Sequence, residues 1–470
     1  MSDDKIIIVG GGCAGLSAAY QLQKAGVPYT LLEATDRVGG RVRFRANGDI
    51  YYNDGAAFTE PQWGTTFEYI DELGLTEQAH NQTNCAVYGF WLDGKVQYFD
   101  AGENLFAELL KIKGLPKGIV MQGLKFLPAF AKDLLLVGRE DHDYTRLDKV
   151  SRLSTREYCE KHGAPLIADN LLGPMLGTMT LGSTDQVGVA HPIALLGGMQ
   201  GMVEIEGGLK SINERIYEQV KDNVRLNTPV AEIVIDDGEV EGVKLESGEF
   251  IEADMVMCAT DAKIAMKLMP NAPQVMKEAW DSTLYSRSWH YVYYIPGKVV
   301  PDDFVALFIP ESENSLITTV FAGTTRPENH TPGTEAVHDF NGGATFFHTF
   351  TASWHEDEIE GMDDEQRNAR VAAEVAKFFP EAMEKAELVG ANLLERAISL
   401  VPAGSYEKIM DLVDNHMDDV EGLYLGGEYL FLVACTEGAW DTGKKAGLKM
   451  IADLAKDDDD DDDDEEEDDD

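Results

Sequence analysis

The sequence predicts an α/β protein in which a parallel-sheet nucleotide-binding domain, assembled from separated pieces, is interleaved with an α+β domain. Three observations carry this. The chain has 470 residues, more than the roughly 250–300 that one hydrophobic core usually serves. Residues 5–33 read as strand, glycine-rich turn, helix, strand. Short apolar strands then return at 224–226, 230–235, 242–245, 254–259 and 422–425, with long insertions at 76–195 and 266–385 between them.

The elements follow in order. Ile6–Val9 is apolar throughout, the pattern of a strand buried on both faces. Gly10-Gly11-Gly12-Cys13-Ala14-Gly15 makes the turn, an Ala- and Leu-rich helix runs to about Ala25, and Gly26 stops it. A second strand, 29–32, ends at Glu33, and the right-handed crossover rule makes the two strands parallel. Residues 76–195 read as mostly helical, while 266–385 hold aromatic and β-branched strands such as 291–295 and 315–321. A helix over 436–454 closes the body. The last fourteen residues, 457–470, are all acidic and are expected to be disordered. Segments 1–75, 196–265 and 386–456 are thus assigned to the nucleotide-binding domain, and 76–195 with 266–385 to a second domain bearing a helical lid.

Acidic residues number 84 against 39 basic, a net charge of −45. Nucleic-acid binding is disfavoured, because phosphate contacts need clustered Lys and Arg. The acidic start lacks the basic region of a signal peptide, and no apolar run approaches the ~18 residues of a membrane span. Cys13, Cys85, Cys159, Cys258 and Cys435 are widely spaced, with no C-x-x-C pair. They read as reduced thiols of a cytoplasmic protein, with no metal site.

In the glycine turn each position has a task. Gly10 permits the tight turn, Gly12 leaves room for backbone to touch a pyrophosphate, and Gly15 lets helix and strand approach. The helix N-terminus offers N–H groups and a positive dipole end to phosphates. Glu33 can accept both ribose hydroxyls and would repel a 2′-phosphate, which disfavours NADP.

The chain continues Glu33-Ala34-Thr35-Asp36-Arg37-Val38-Gly39-Gly40-Arg41. This E-A-x-x-R-x-G-G-R string resembles the flavin-containing amine oxidase superfamily, which also holds phytoene desaturases and protoporphyrinogen oxidases. Asp54-Gly55-Ala56-Ala57 resembles the segment along the isoalloxazine edge, and Asn227-Thr228-Pro229-Val230 the strand whose valine touches adenine. Gly207-Gly208-Leu209 matches a recurrent helix start, Leu423–Leu425 with Gly426-Gly427-Glu428 is similar to L-Y-x-x-G-E, and Thr436 opens the last helix. The resemblance implies noncovalent FAD. It is carried onto Gly10, Gly12, Cys13, Ala14, Gly15, Glu33, Ala34, Gly40, Arg41, Gly55, Ala56, Val230, Gly427, Glu428 and Thr436. Arg41 would fork onto the pyrophosphate, Glu428 would reach the ribityl or pyrophosphate region, and the Thr436 N–H would face the flavin N1–C2=O edge. Surface charge is the competing reading for Arg37, and less so for Arg41.

Three departures bear on chemistry. Many amine oxidases place a lysine beside flavin N5. Trp289 stands there in this chain, with His290 next to it; an ordinary strand with one core residue and one hydrogen-bonded residue is the competing reading. The cysteine that bonds flavin in monoamine oxidases is Ser405 here. Of their two substrate-flanking tyrosines, Tyr406 matches one and Cys435 replaces the other. Trp289, His290 and Tyr406 are the catalytic candidates.

Residues 111–132 hold five lysines and no acid, interleaved with apolar residues. Such a segment suits an anionic membrane surface or a lid over a cavity, and both point to an apolar substrate. The expected function is hydride removal from a bulky apolar small molecule. An amine or amino-acid oxidase releasing hydrogen peroxide and an FAD-dependent isomerase are the alternatives. Oligomeric state and electron acceptor are open at this level.

Overall fold

A computed structural model describes residues 5–465 apart from 48–49, 57–58, 62, 82–86, 101–107, 109–110, 138–144, 199–202, 206, 302–303 and 325–343. Ala57, Cys85 and the last five acidic residues, named above, lie outside the described residues. A five-stranded parallel sheet has the order Leu423–Leu425, Met255–Cys258, Ile6–Val9, Thr30–Leu32, Val224–Arg225. From Ile6–Val9 the chain moves first to one side of the sheet and later to the other. The crevice at the C-terminal ends of Ile6–Val9 and Met255–Cys258 is therefore a topological switch point, where open α/β sheets bind ligands.

One face of this sheet is covered by the helices Cys13–Ala25, Lys210–Val220 and Thr436–Glu465, which share a core around Leu16, Ile212 and Trp440. The first and last helices cross closely: a Cβ on Gly443 would stand 2.1 Å from the Ala14 carbonyl oxygen. Asn213 ties all three together, accepting from the Trp440 indole (3.1 Å) and donating to the Cys13 sulfur (3.4 Å).

Two expected returns to this sheet are made elsewhere. Val230–Asp236 and Glu239–Leu245 pair antiparallel with each other, and Phe250–Glu252 completes a separate three-stranded sheet. The cause is the Asp237-Gly238 turn, both residues at positive φ. So short a connection makes a hairpin, whereas a parallel return needs a crossover.

A seven-stranded sheet has the order Glu387–Leu394, Ser288–Pro296, Ala344–Thr351, Ile317–Thr324, Phe304–Phe308, Val87–Leu92, Lys95–Asp100. Two of its strands lie in the stretch expected to be helical. The missed signal is Asp93-Gly94, both at positive φ, which turns Val87–Leu92 back onto Lys95–Asp100. Glu387–Leu394, expected with the nucleotide-binding pieces, pairs along Ser288–Pro296 instead.

The pleat divides this sheet into two faces. Trp289, Tyr291, Tyr293 and Phe347 pack in a core with the helix Asp364–Phe378. On the other face Val292 and Phe346 pack under Tyr52 of the hairpin Phe44–Asn47 and Ile50–Asn53. That hairpin leads directly into Asp54-Gly55-Ala56.

The last helix runs past the expected end at Leu454 to Glu465, so the acidic run begins helical. Extending a packed helix needs no new nucleation, which lets the backbone continue despite like charges at its C-terminal end. Among the described residues no helix is long and apolar enough to cross a membrane.

Candidate active site

The glycine loop fulfils the steric reasoning position by position. Gly10 has φ of +107°, and a Cβ on Gly15 would lie 1.9 Å from the Gly10 oxygen. A Cβ on Gly12 would meet nothing nearer than the Gly40 Cα at 4.0 Å, so Gly12 borders open space. Gly39 N–H donates to the Gly11 carbonyl (2.8 Å), which fastens the second loop against the first. Arg37 is spent on that loop, donating to the carbonyls of Val38 (3.0 Å) and Gly40 (2.8 Å). Ala34 and Gly40 are exposed along its rim, while Cys13 and Ala14 are buried at the helix start.

Glu33 ends its strand beside the loop. One carboxylate oxygen accepts from Gly11 N–H (2.7 Å), and the other from the Thr35 N–H (2.9 Å) and hydroxyl (2.7 Å). Thr228 N–H donates to the Glu33 carbonyl (2.9 Å), which places the segment leading into Val230 at the same edge. Arg41 and Glu428, expected to approach one bound group, form an ion pair with each other, and Arg41 also lies over the Tyr285 ring. Gly55 packs under Arg41: its Cβ would be 1.9 Å from the Arg41 oxygen. Ala56 N–H donates to that same oxygen (3.2 Å). Gly427 N–H donates to the Thr442 hydroxyl oxygen (3.0 Å), joining the Glu428 turn to the last helix.

The catalytic candidates are not brought together. Trp289, placed by the sequence reading in the lysine's position, faces the opposite side of the sheet, with the Arg367 guanidinium 3.6 Å above its ring. Successive side chains of a strand alternate, so one residue of register exchanges the faces. Tyr406 lies at the start of the helix Ser405–Asn415, buried in the core with Val401 and Leu432. Ser405 is 3.2 Å from the Ser282 hydroxyl.

His290 faces inward and heads a buried polar chain. Its Nδ1 is 2.9 Å from an Asp54 oxygen, its Nε2 is 3.0 Å from His348 Nδ1, and its ring stacks on Phe350 at 4.4 Å. Asp54, fully buried, also pairs with Arg43 (2.7 Å) and Arg45. Burial alone would raise the Asp54 carboxyl, but hydrogen bonds from His290 and Arg45 and the Arg43 charge hold it below the usual carboxylate range. Burial pushes His290 down, against the pull of Asp54. Burial and the His290 neighbour push His348 down to about 3.

Those states fix the tautomers. Charged Asp54 only accepts, so His290 Nδ1 carries the proton and His290 Nε2 accepts from His348 Nδ1–H. The lone pair at the end of the chain is then His348 Nε2. His348 stays half-buried, as do Phe321 and Phe350 beside it. Asp54 and His348 were missed as functional residues. The alternation Phe346-x-His348-x-Phe350 in a strand was the available signal, but it shows no partner.

Buried neutral histidines tie stability to pH. His191, 2% exposed, is pushed down to about 4 by burial. Between the ordinary histidine value near 6.5 and these depressed values, the unfolded chain binds more protons than the folded one. Stability is therefore whole above about pH 6.5 and is lost as pH falls toward 4. His191 alone accounts for about 3 kcal/mol of loss by pH 4. Thermal melts across this range should show the decline; a melting temperature constant down to pH 4 would contradict it.

A parallel sheet with a glycine loop and an acid-ended second strand, facing a mixed sheet with a buried Asp–His–His chain, defines a dinucleotide-dependent oxidoreductase class. The chain belongs to the flavin-containing amine oxidoreductase family, whose sequence profile matches residues 13–447. Membership implies a flavin. An L-amino acid oxidase of Crotalus durissus cumanensis is 29% identical over 281 residues, 58% of this chain and 56% of the relative. The chain thus spans about half the length of the curated relatives it matches. The fold is that of cyclohexylamine oxidase from Brevibacterium oxydans IH-35A (TM-score 0.74, 18% identity, 97% of this chain and 100% of that one). It is also that of a putative protoporphyrinogen oxidase from Exiguobacterium sp. 255-15 (TM-score 0.70, 19% identity, 96% and 99%).

The residues present fit a flavin dinucleotide. Gly12 borders open space, a Cβ there meeting only the Gly40 Cα at 4.0 Å. Two buried polar atoms on the bordering elements, Glu428 Oε1 and Thr436 Oγ1, find no hydrogen-bond partner among the described residues. A bound dinucleotide would give both of them a partner.

Proposed function

We propose that the protein is an FAD-dependent oxidoreductase that removes a hydride equivalent from a bulky apolar small molecule, with the FAD held noncovalently. The observation that carries this reading is the inward face of the seven-stranded sheet. Strand pairing puts His290, His348 and Phe350 on it, followed by Phe321 on the next strand; His348, Phe350 and Phe321 keep part of their surface, while Val292 and Phe346 are covered by Tyr52. None of these carries a fixed charge, and the histidines are held neutral. Such a wall retains a ligand mainly by burying apolar surface, at about 25 cal/mol per Å².

Bound FAD supplies a two-electron acceptor. The chain supplies the rest. Gly10 and Gly15 shape the turn, Gly12 leaves room for the dinucleotide, Glu33 and Arg41 select it, and Glu428 and Thr436 offer it their unpaired oxygens. As a hydride leaves one substrate atom for the flavin, His348 Nε2 would accept the proton lost from the adjacent atom. His290, held by charged Asp54, accepts the His348 Nδ1–H, fixes that ring and places a carboxylate near the positive charge it gains. Arg43 and Arg45 keep Asp54 charged and fixed. The serine at 405 supports noncovalent attachment.

An amine or amino-acid oxidase is the second reading, favoured by the identity to L-amino acid oxidases. Anaerobic mixing of the flavoprotein with a panel of amines, amino acids and apolar polyenes or cyclic compounds decides between them. Bleaching of the flavin band by an apolar compound, with little bleaching by amines, is expected. Rapid reduction and peroxide release with an amine or amino acid, at enzymatic rates of about 1–10³ per second, would overturn the apolar reading.

A further inference from the structure

The helix Ile119–Leu134 holds a face that the fold leaves bare. Among the described residues, nine large hydrophobic side chains are exposed, and five of them lie on or directly after this helix: Val120 (56%), Met121 (60%), Leu124 (62%), Leu127 (43%) and Leu135 (74%). At roughly 3.6 residues per turn, Val120, Leu124, Leu127 and Leu135 form one ridge. Ile119, Phe126 and Phe130 point the other way and are buried in the helical core. The helix is firmly seated by that buried side. Gln122 accepts from Leu166 N–H (2.8 Å), and Asp133 accepts the Tyr158 hydroxyl (2.6 Å). The bare ridge is therefore not a helix lifted from its place.

Charge indicates what covers it. Lys125 and Lys132 flank the ridge, and Lys117 precedes the helix; all three are exposed. The acid on the helix, Asp133, is turned to the protein body by its bond to Tyr158. In a chain of net charge −45, a basic edge along an apolar ridge is a local reversal of sign. Beyond a Debye length of about 8 Å at 0.15 M salt, the remaining acidic surface is screened. A body close to the ridge meets leucines and lysines first.

We infer that this helix docks the protein on an anionic lipid bilayer. The apolar ridge enters the boundary between headgroups and acyl chains, and Lys117, Lys125 and Lys132 meet the acidic headgroups. The helix lies in the membrane plane and does not span it. The inference is independent of the substrate proposal, because it rests on the outer surface alone.

The test is flotation of the full-length flavoprotein with vesicles of phosphatidylglycerol and phosphatidylcholine, or of phosphatidylcholine alone. Binding to the anionic vesicles is expected to be about tenfold tighter or more, and to weaken with salt. Leu124→Gln/Leu127→Gln should abolish flotation. Lys125→Gln/Lys132→Gln should remove the preference for anionic lipid. Both pairs are surface changes, and an unaltered flavin spectrum and melting temperature would confirm folding. A Leu124→Trp reporter should shift its emission to the blue on vesicle addition. Three results would overturn the inference: no flotation of wild type, equal flotation of wild type and the leucine variant, or a dimer in light scattering that the leucine variant dissociates. The last would assign the ridge to a second copy of the chain.

Discussion

His348→Gln is expected to lower the rate of flavin reduction by roughly 10²–10⁴-fold, the usual worth of a positioned acid or base, with flavin content and melting temperature unchanged. Glutamine can occupy the hydrogen-bonding space of the ring but cannot take up a proton at the Nε2 position. A solvent isotope effect separates this role from a packing role. Wild type should be reduced more slowly in D2O than in H2O, and the variant's residual rate should lack that difference. Asp54→Asn should cost both activity and stability. It leaves Arg43 and Arg45 without their shared carboxylate and removes the group that sets the His290 tautomer. Breaking a buried pair in this way typically costs about 3–5 kcal/mol. A His348→Gln enzyme with wild-type reduction rates and the same solvent isotope effect would remove the chain from the mechanism.

The second large effect concerns the glycine loop, where two neighbouring glycines should fail differently. Gly15→Val should destabilise the apoprotein itself, because a Cβ there would lie 1.9 Å from the Gly10 oxygen and 3.3 Å from the Ala259 Cβ. Overpacking of this kind costs about 1–3 kcal/mol or more. Gly12→Val should leave the apoprotein melting temperature near wild type, since its Cβ meets only the Gly40 Cα at 4.0 Å. Its flavin occupancy should nevertheless fall by about tenfold or more, because the side chain fills the space a pyrophosphate must enter. Apoprotein melts and flavin content, measured together on both variants, check the distinction. Equal flavin occupancy in Gly12→Val and wild type would place the dinucleotide elsewhere.

What the sequence revealed and what it concealed divide along contact distance. The glycine loop, Glu33 and the stop at Gly26 were legible because their reasons are local: a turn, a strand end, a helix cap. The hairpins at Asp93-Gly94 and Asp237-Gly238 are equally local, yet the apolar patterns on either side match a helix and a parallel return as well as they match a hairpin. The Asp54–His290 contact joins positions 236 residues apart, and His290–His348 joins positions 58 apart. Such pairs depend on strand register, which sequence spacing does not fix. Trp289 and His290 show the consequence: the sequence points to both, because alternation says that two neighbours face apart but not which face each one takes. In the sequence, Arg41 and Glu428 each point toward a bound group. Their mutual ion pair became visible only when the C-terminal strand took its place at the edge of the sheet.

The central claim, a noncovalently held FAD in the cleft at the ends of Ile6–Val9 and Met255–Cys258, is tested most directly by acid precipitation of the purified protein and identification of the released nucleotide. The account predicts a yellow protein, a colourless pellet, and one FAD per chain in the supernatant. A pellet that keeps the flavin, or a protein that stays colourless after incubation with FAD, would contradict it.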